Sequence, residues 1–201
     1  MNKKTIILGI GGGIAAYKTC ELTRLLVKKG AKVHVILTKS AIQFVTPLTL
    51  QTLSLNPVHT DLFDCYSANS ASLLRGPAKP DLDLHTQEQE IGHISLADKA
   101  DVVVVAPATA DLIAKAAHGL ANDLLTNVLL ATRAPVLFCP SMNVHMWEHK
   151  ATQQNMRRLR ELGYQVMEPA SGELACGTIG LGRLCEPEEI VKALQKMTGS
   201  L

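Results

Sequence analysis

The chain has 201 residues, 47% hydrophobic and 19% charged, which is enough apolar material for one sizeable core. A formal net charge of +2 and an aromatic content of 3% argue against a nucleic-acid or membrane-surface binder and against a base-stacking platform. The five cysteines, Cys20, Cys65, Cys139, Cys176 and Cys185, are odd in number and none pairs at zinc-site or redox-motif spacing. Reduced thiols, a cytoplasmic location and no metal site are expected.

The start, Met1-Asn2-Lys3-Lys4, puts basic residues before an apolar run. Gly9 and Gly11 to Gly13 break that run, so it is read neither as an export signal nor as a membrane span. Residues 5–10 read as a buried strand, Gly11-Gly12-Gly13 opens a helix over 14–29, and Gly30 ends it. Residues 32–38 are the second strand. A β-Gly-loop-α-β unit predicts a parallel sheet with a phosphate site at the helix N-terminus.

The second strand narrows the cofactor. Gly11-x-Gly13-x-x-Ala16 fits the dinucleotide fingerprint only formally, since the strand that follows should end in an acid for the ribose diol. It ends instead in Thr38-Lys39-Ser40, which suits a phosphate or a polyol. NAD is disfavoured, and a mononucleotide such as FMN favoured. A P-loop is refused, because Tyr17 stands where Gly must precede Lys18-Thr19. Glycines serving only a tight turn remain the alternative.

Residues 41–55 read as helical pieces interrupted at Pro47, with Thr46 and Thr49 as possible caps. Residues 65–90, rich in turn formers and without period, read as an exposed loop insertion. A short helix begins at Ile91-Gly92-His93, and Asp101-Val102-Val103-Val104-Val105-Ala106 is the clearest buried strand. It runs into Pro107-Ala108-Thr109-Ala110-Asp111. Helices over 111–118 and 121–131 follow, then a strand at 135–139 and the motif Pro140-Ser141-Met142-Asn143-Val144-His145-Met146-Trp147. A helix over 151–162, a last strand at 164–167, a glycine-rich loop at 171–183 and a helix from Pro187 to about Lys196 complete the chain. The expected fold is a three-layer, doubly wound (Rossmann or flavodoxin-like), mostly parallel α/β domain covering 1–201.

Several side chains carry two readings. His145-x-x-Glu148-His149 matches the inverted zinc-protease pattern, but Pro140 and the strand-end residues predict a loop there, so exposed polar residues at a helix start are preferred. Ser141 lacks a nucleophile elbow. His93 is either a helix-start histidine bonded to backbone or a catalytic one. Asn143 is either an Asx-turn residue or a site residue. Cys176, with glycines on both sides, is either a structural turn or a thiol on a mobile flap.

In combination, Gly12-Gly13-Ile14-Ala15-Ala16-Tyr17-Lys18, Gly92-His93-Ile94, Ala106-Pro107-Ala108-Thr109-Ala110, the 140–147 motif and Ala175-Cys176-Gly177-Thr178-Ile179-Gly180-Leu181-Gly182-Arg183 closely resemble the homo-oligomeric flavin-containing cysteine decarboxylase family. The resemblance implies decarboxylation of phosphopantothenoylcysteine in coenzyme A biosynthesis, through thioaldehyde and ene-thiolate intermediates. It implies FMN held by Gly12, Gly13, Ile14, Ala15, Thr38, Ser40, Ala106, Pro107, Ala108, Thr109 and Met142. His93, Asn143 and Cys176 would be catalytic, with Asn143 on the substrate carboxylate and Cys176 giving a late proton from a flap at 170–185. Substrate would lie against Asn143, Met146, Ala175, Cys176, Gly177 and Arg183.

The resemblance also implies a trimer or dodecamer with the site between subunits, where Asn143 is expected to serve the neighbour's flavin; composition leads to the expectation of no nucleic-acid or membrane partner. Many bacterial relatives continue into a synthetase domain, so a chain stopping at Leu201 is either a one-domain enzyme or part of a longer one. Departures are Gly13 where a hydroxyl residue is common, Ser141 for Ala, Leu184 for Met, and a longer 65–90 segment. A decarboxylase of peptide C-terminal cysteine, a non-catalytic phosphatase-regulating flavoprotein and a flavin prenyltransferase are the competing readings.

Overall fold

The computed structural model describes residues 4–62, 92–173 and 177–199. The predicted 65–90 insertion, Ala175 and Cys176 lie outside the described residues. Six parallel strands form the sheet: β1 (Thr5–Ile10), β2 (Lys32–Leu37), β3 (Val58–His59), β4 (Val102–Ala108), β5 (Val136–Pro140) and β6 (Gln165–Val166). Their order is β3-β2-β1-β4-β5-β6, the Rossmann order of a doubly wound sheet. The chain turns from one half of the sheet to the other between β1 and β4.

Alternation along the strands sends side chains into two cores, one on each face. Ile6, Leu8, Val33, Val35, Val102 and Val104 pack on one face. They meet Leu22 and Leu26 of α1 (Lys18–Lys28), Leu50 of α2 (Pro47–Ser54), and Ile190 and Leu194 of the C-terminal helix (Pro187–Thr198). Ile7, Ile36, Val103, Val105 and Phe138 pack on the other. There they meet α3 (Gly92–Lys99), α4 (Ala110–Ala117), α5 (Leu124–Ala131) and α7 (Lys150–Glu161) through Leu96, Ile113, Leu125 and Met156. All seven residues of β4 are buried, which explains its unbroken apolar run. Full burial of each Leu, Ile or Phe contributes about 1.5–3 kcal/mol. Gly9 of β1 faces α5, and a Cβ there would overlap the Leu125 side chain.

Residues 41–55 are helical in pieces as expected: a 3-10 turn at Ala41–Gln43 is separate from α2, where Pro47 occupies the first position at no cost for its missing N–H and Thr46 caps the helix by accepting from Thr49 N–H at 3.2 Å. Three other sequence expectations change. β3 is two residues long, below what periodicity detects. The 140–147 motif is not loop throughout, because Val144–Glu148 forms a one-turn helix, α6. The strand near residue 165 is not the last: residues 171–183 pair as an antiparallel ribbon, β7 (Ala170–Glu173) with β8 (Ile179–Arg183), leading to the C-terminal helix, α8. Its glycines made it read as a loop. Gly172 and Gly182 both have φ of +149°, and a Cβ on Gly180 would stand 2.9 Å from Val144 Cγ2 of α6. No helix among the described residues is long and apolar enough to cross a membrane.

One half-buried group couples the fold to pH. The His34 ring lies on β2, 6.2 Å from that of His59 on β3, and its buried Nδ1 has no hydrogen-bond partner among the described residues. Burial first, then Lys32, His59 and Lys99, pushes its pKa down to about 4. The unfolded chain takes up this proton near its ordinary value of 6.5, while the fold resists it down to about 4. Stability from this group is therefore complete above the unfolded value and falls as pH drops from there toward the folded one. Melting temperature should fall over that window, and His34→Leu should flatten the fall; an equal fall in both proteins would remove His34 as the cause.

Candidate functional site

The carboxyl ends of β1, β2 and β4 carry the predicted loops to one edge of the sheet. Gly11 N–H donates to Pro107 O at 3.1 Å across the switch point, where the Ala106–Pro107 peptide is cis. A Cβ on Gly11 would lie 2.7 Å from Leu112 Cδ1, and one on Gly12 would overlap Ser40 Cβ and lie 2.7 Å from Ser40 C. These two glycines let the three loops touch. A tight turn is only part of their purpose. Gly13 differs: its backbone is extended, with φ −155°, and a Cβ would meet Thr109 Cγ2 at an ordinary 3.8 Å. A hydroxyl side chain fits there, so Gly13 is a departure without a steric cause.

The hydroxyls are partly committed to the loops. Thr38 Oγ1 donates to Ile10 O at 3.1 Å and accepts from Ala41 N–H at 3.2 Å. Thr109 Oγ1 accepts from Leu112 N–H at 3.3 Å and so caps α4. A cavity of about 530 Å³ opens beside them, lined by Gly12, Thr38, Ser40, Thr109 and Met146 among the predicted residues. Its wall also holds Lys39, Ala110, Asp111, Leu112, Lys115, Asn122 and Asp123. Sequence reading named Ala110 and Asp111 only as part of the strand-end loop and missed the last four. Lys115 Nζ lies 2.9 Å from Asp111 and 3.8 Å from Asp123, whose carboxylate caps α5 by accepting from Thr126 N–H at 2.8 Å. The cap signature Asp123-Leu124 was the available signal.

A second cavity, about 460 Å³, is lined by Ile14, Ala15, Tyr17, Lys18, Ser141, Glu173, Arg183 and Leu184. Thus the predicted cofactor residues divide between two cavities. Gly13 lies in the turn between them, and Ala106, Pro107 and Ala108 form the buried end of β4. The motif after β5 is tied to both walls. Ser141 N–H donates to Ala108 O at 3.1 Å, and buried Met142 N–H donates to Gly182 O of β8 at 3.0 Å. Asn143 caps α6, its Oδ1 accepting from His145 N–H at 2.8 Å. Trp147, 6% exposed, anchors α6 in the core, while Met146 stays 48% exposed at the first cavity. Gly177, shortly before β8, has φ +81°.

Two other histidines are resolved by geometry. His149 Nδ1 accepts from Ala151 N–H at 3.2 Å as the cap of α7, which breaks the helix a zinc pair would need. No cluster of metal ligands occurs among the described residues. His93 sits in the first turn of α3 and lines neither cavity, and its buried Nδ1 has no hydrogen-bond partner among the described residues.

A glycine cradle at the switch point, three hydroxyl residues around it and no acid ending β2 define a mononucleotide-type α/β protein. The Flavoprotein family model matches residues 1–199, and the chain belongs to that family. The chain is 46% identical over 196 residues to the Coenzyme A biosynthesis bifunctional protein CoaBC of Bacillus subtilis (strain 168), covering 98% of this chain and 43% of that protein. It therefore spans less than half the length of that relative. Among solved structures, a cysteine-to-serine variant of a PPC decarboxylase complexed with pantothenoylaminoethenethiol superposes with TM-score 0.79 at 28% identity. That match covers 99% of this chain and 100% of the other. The FMN binding protein AtHal3 superposes with TM-score 0.76 at 29% identity, over 97% and 96% of the two chains.

The steric difference between neighbouring glycines is testable. Gly12→Ala should cost about 1–3 kcal/mol, as overpacking does, with loss of bound flavin colour. Gly13→Ala should change stability by less than about 0.5 kcal/mol and keep the colour. Equal damage from both would refute the loop-packing assignment.

Proposed function

We propose that this chain is the decarboxylase unit for phosphopantothenoylcysteine, using FMN, in the cytoplasm, within a homo-oligomer whose subunits share each site. The observation that carries the reading is the cradle of Gly12, Ser40 and Thr109 facing one cavity, with Met146 of the Asn143-capped helix on its wall. The similarity to CoaBC of B. subtilis and to the PPC decarboxylase structure supports the substrate. The flap is assigned to residues 170–185, which include the β7–β8 ribbon. The decarboxylase domain would be residues 1–201, with a synthetase partner domain as in the bifunctional relatives.

The residues fit FMN on structural grounds. Gly12 brings backbone against Ser40, leaving room that a Cβ would fill, and the first turn after the glycines presents N–H groups of the kind that bind phosphate. Thr38, Ser40 and Thr109 are the hydroxyls for phosphate and ribityl, while Lys39 and Lys115 supply positive charge on the wall. Ile14, Ala15, Ala106, Pro107, Ala108 and Met142 would shape the apolar part of the site. Bound there, the flavin would supply a reversible hydride acceptor that oxidises the thiol-bearing carbon of the substrate, and the substrate so oxidised takes up the electrons left by departing CO₂.

Each protein group then has a limited task. Asn143 orients the substrate carboxylate as a neutral donor, so the group is placed without the tight hold of a cation. Its Oδ1 cap on α6 fixes the direction of the side chain. Cys176, between Ala175 and Gly177 in the sequence, delivers a late proton. Met146 and Arg183 bound the substrate on either side. His93 lines neither cavity of its own subunit, which supports a site completed by a neighbouring chain.

Purified protein should be yellow and release CO₂ from phosphopantothenoylcysteine, but not from a peptide ending in cysteine. Asn143→Asp keeps the helix cap yet places a charge against the substrate carboxylate, and CO₂ release should fall at least about 10²-fold at unchanged melting temperature. His93→Asn should be similarly slow, and Cys176→Ser should accumulate the oxidised enethiol. A colourless protein, or wild-type turnover in all three variants, refutes the proposal.

A further inference from the structure

One carboxylate joins the ribbon to the first helix. Glu186, at the start of α8, accepts from Lys18 Nζ at 2.8 Å and lies 3.5 Å from Arg183 Nη2. Lys18 is the first residue of α1, directly after the turn that follows the glycine cradle. Arg183 is the last residue of β8, and its guanidinium lies across Gly172 of β7, where a Cβ would come 2.6 Å from Nη1. Both cations line the 460 Å³ cavity, together with Ser141 and Glu173. The hydrogen bond from Lys18 leads the effects that hold the Glu186 carboxyl below its ordinary range, so Glu186 is charged at neutral pH.

The charge balance of this wall is close. Lys18 and Arg183 are offset by Glu173 and Glu186, so losing Glu186 alone leaves the wall with an uncompensated positive charge. Stability does not explain the arrangement. The Glu186 side chain is 51% exposed, and exposed ion pairs contribute little. Glu186 also takes part in the start of α8: its side chain accepts from the backbone N–H of Glu189, whose Oε2 accepts from the backbone N–H of residue 186 at 3.1 Å, and Gln or Asp at 186 keeps a side-chain oxygen for that cap.

We propose that Glu186 is a positioning residue that holds Lys18 and Arg183 in a neutralised cluster. In that state Arg183 steers the anionic substrate without capturing its carboxylate away from Asn143. A cation pair released from Glu186 would bind the carboxylate in the ground state, and binding of that kind lowers turnover without weakening affinity. The inference rests on the decarboxylase reading above, in which Arg183 meets the substrate.

The test is steady-state CO₂ release by the flavin-loaded protein carrying Glu186→Gln, Glu186→Asp, or Glu186→Gln combined with Lys18→Met. In Glu186→Gln, kcat should fall about tenfold while KM stays level or drops, the pattern of tighter ground-state binding. Glu186→Asp keeps the charge and should stay within about threefold of wild type, and adding Lys18→Met to Glu186→Gln should recover most of the lost kcat by restoring the charge balance. Flavin content and melting temperature should match wild type throughout. Wild-type kinetics in Glu186→Gln, a rise in KM that Lys18→Met does not reverse, or joint loss of flavin and stability would overturn the proposal. An inactive wild-type protein would instead overturn the decarboxylase reading, which separates the two failures.

Discussion

Close approach of three loops at the carboxyl edge of the sheet is the constraint on which the rest of the site depends. Gly11 is bonded to Pro107 across the switch point, and Gly12 lies where any Cβ would collide with Ser40. That contact sets the depth of the larger cavity and brings Thr38, Ser40 and Thr109 around one opening. Protein interiors do not stretch to absorb an extra methyl at such a point, so the loops either fit or separate. The two apolar cores on either face of the sheet hold the strand ends in register for this fit.

The segment after β5 transmits that geometry to the other side of the site. Its backbone is bonded to Ala108 on β4 and to Gly182 on β8, so one stretch joins the cradle and the ribbon. Trp147 anchors it in the core from one end of a single helical turn, and Asn143 caps the other end. The Asx-type cap engages the Oδ1 of Asn143. His145, more reactive by type, is exposed and adjoins a helix break made by the His149 cap.

Charge is arranged in compact clusters at both cavities. Lys115 is shared by Asp111 and Asp123 at one, and Glu186 is shared by Lys18 and Arg183 at the other. The first joins two consecutive helices, and the second ties α1 to the distant ribbon and α8. Such pairs add little to stability at the surface, but they fix where a charge stands.

The sequence by itself determined the doubly wound fold, because buried parallel strands must read as apolar runs and glycine must stand where loops touch. It also determined the strand-end loops of the site and, through the absence of an acid after β2, the preference for a mononucleotide. Residues 171–183 looked like a loop because glycine hides strand periodicity, and β3 was too short to show any. Only the tertiary structure decided why Gly11 and Gly12 are needed but Gly13 is not, since that turns on Ser40, Pro107 and Leu112, which are remote in sequence. It alone brought Lys18, Arg183 and Glu186 together and set Asp111 and Asp123 on one cavity wall. Spacing along a chain reports local geometry, whereas these contacts exist only after packing has folded distant segments against one another.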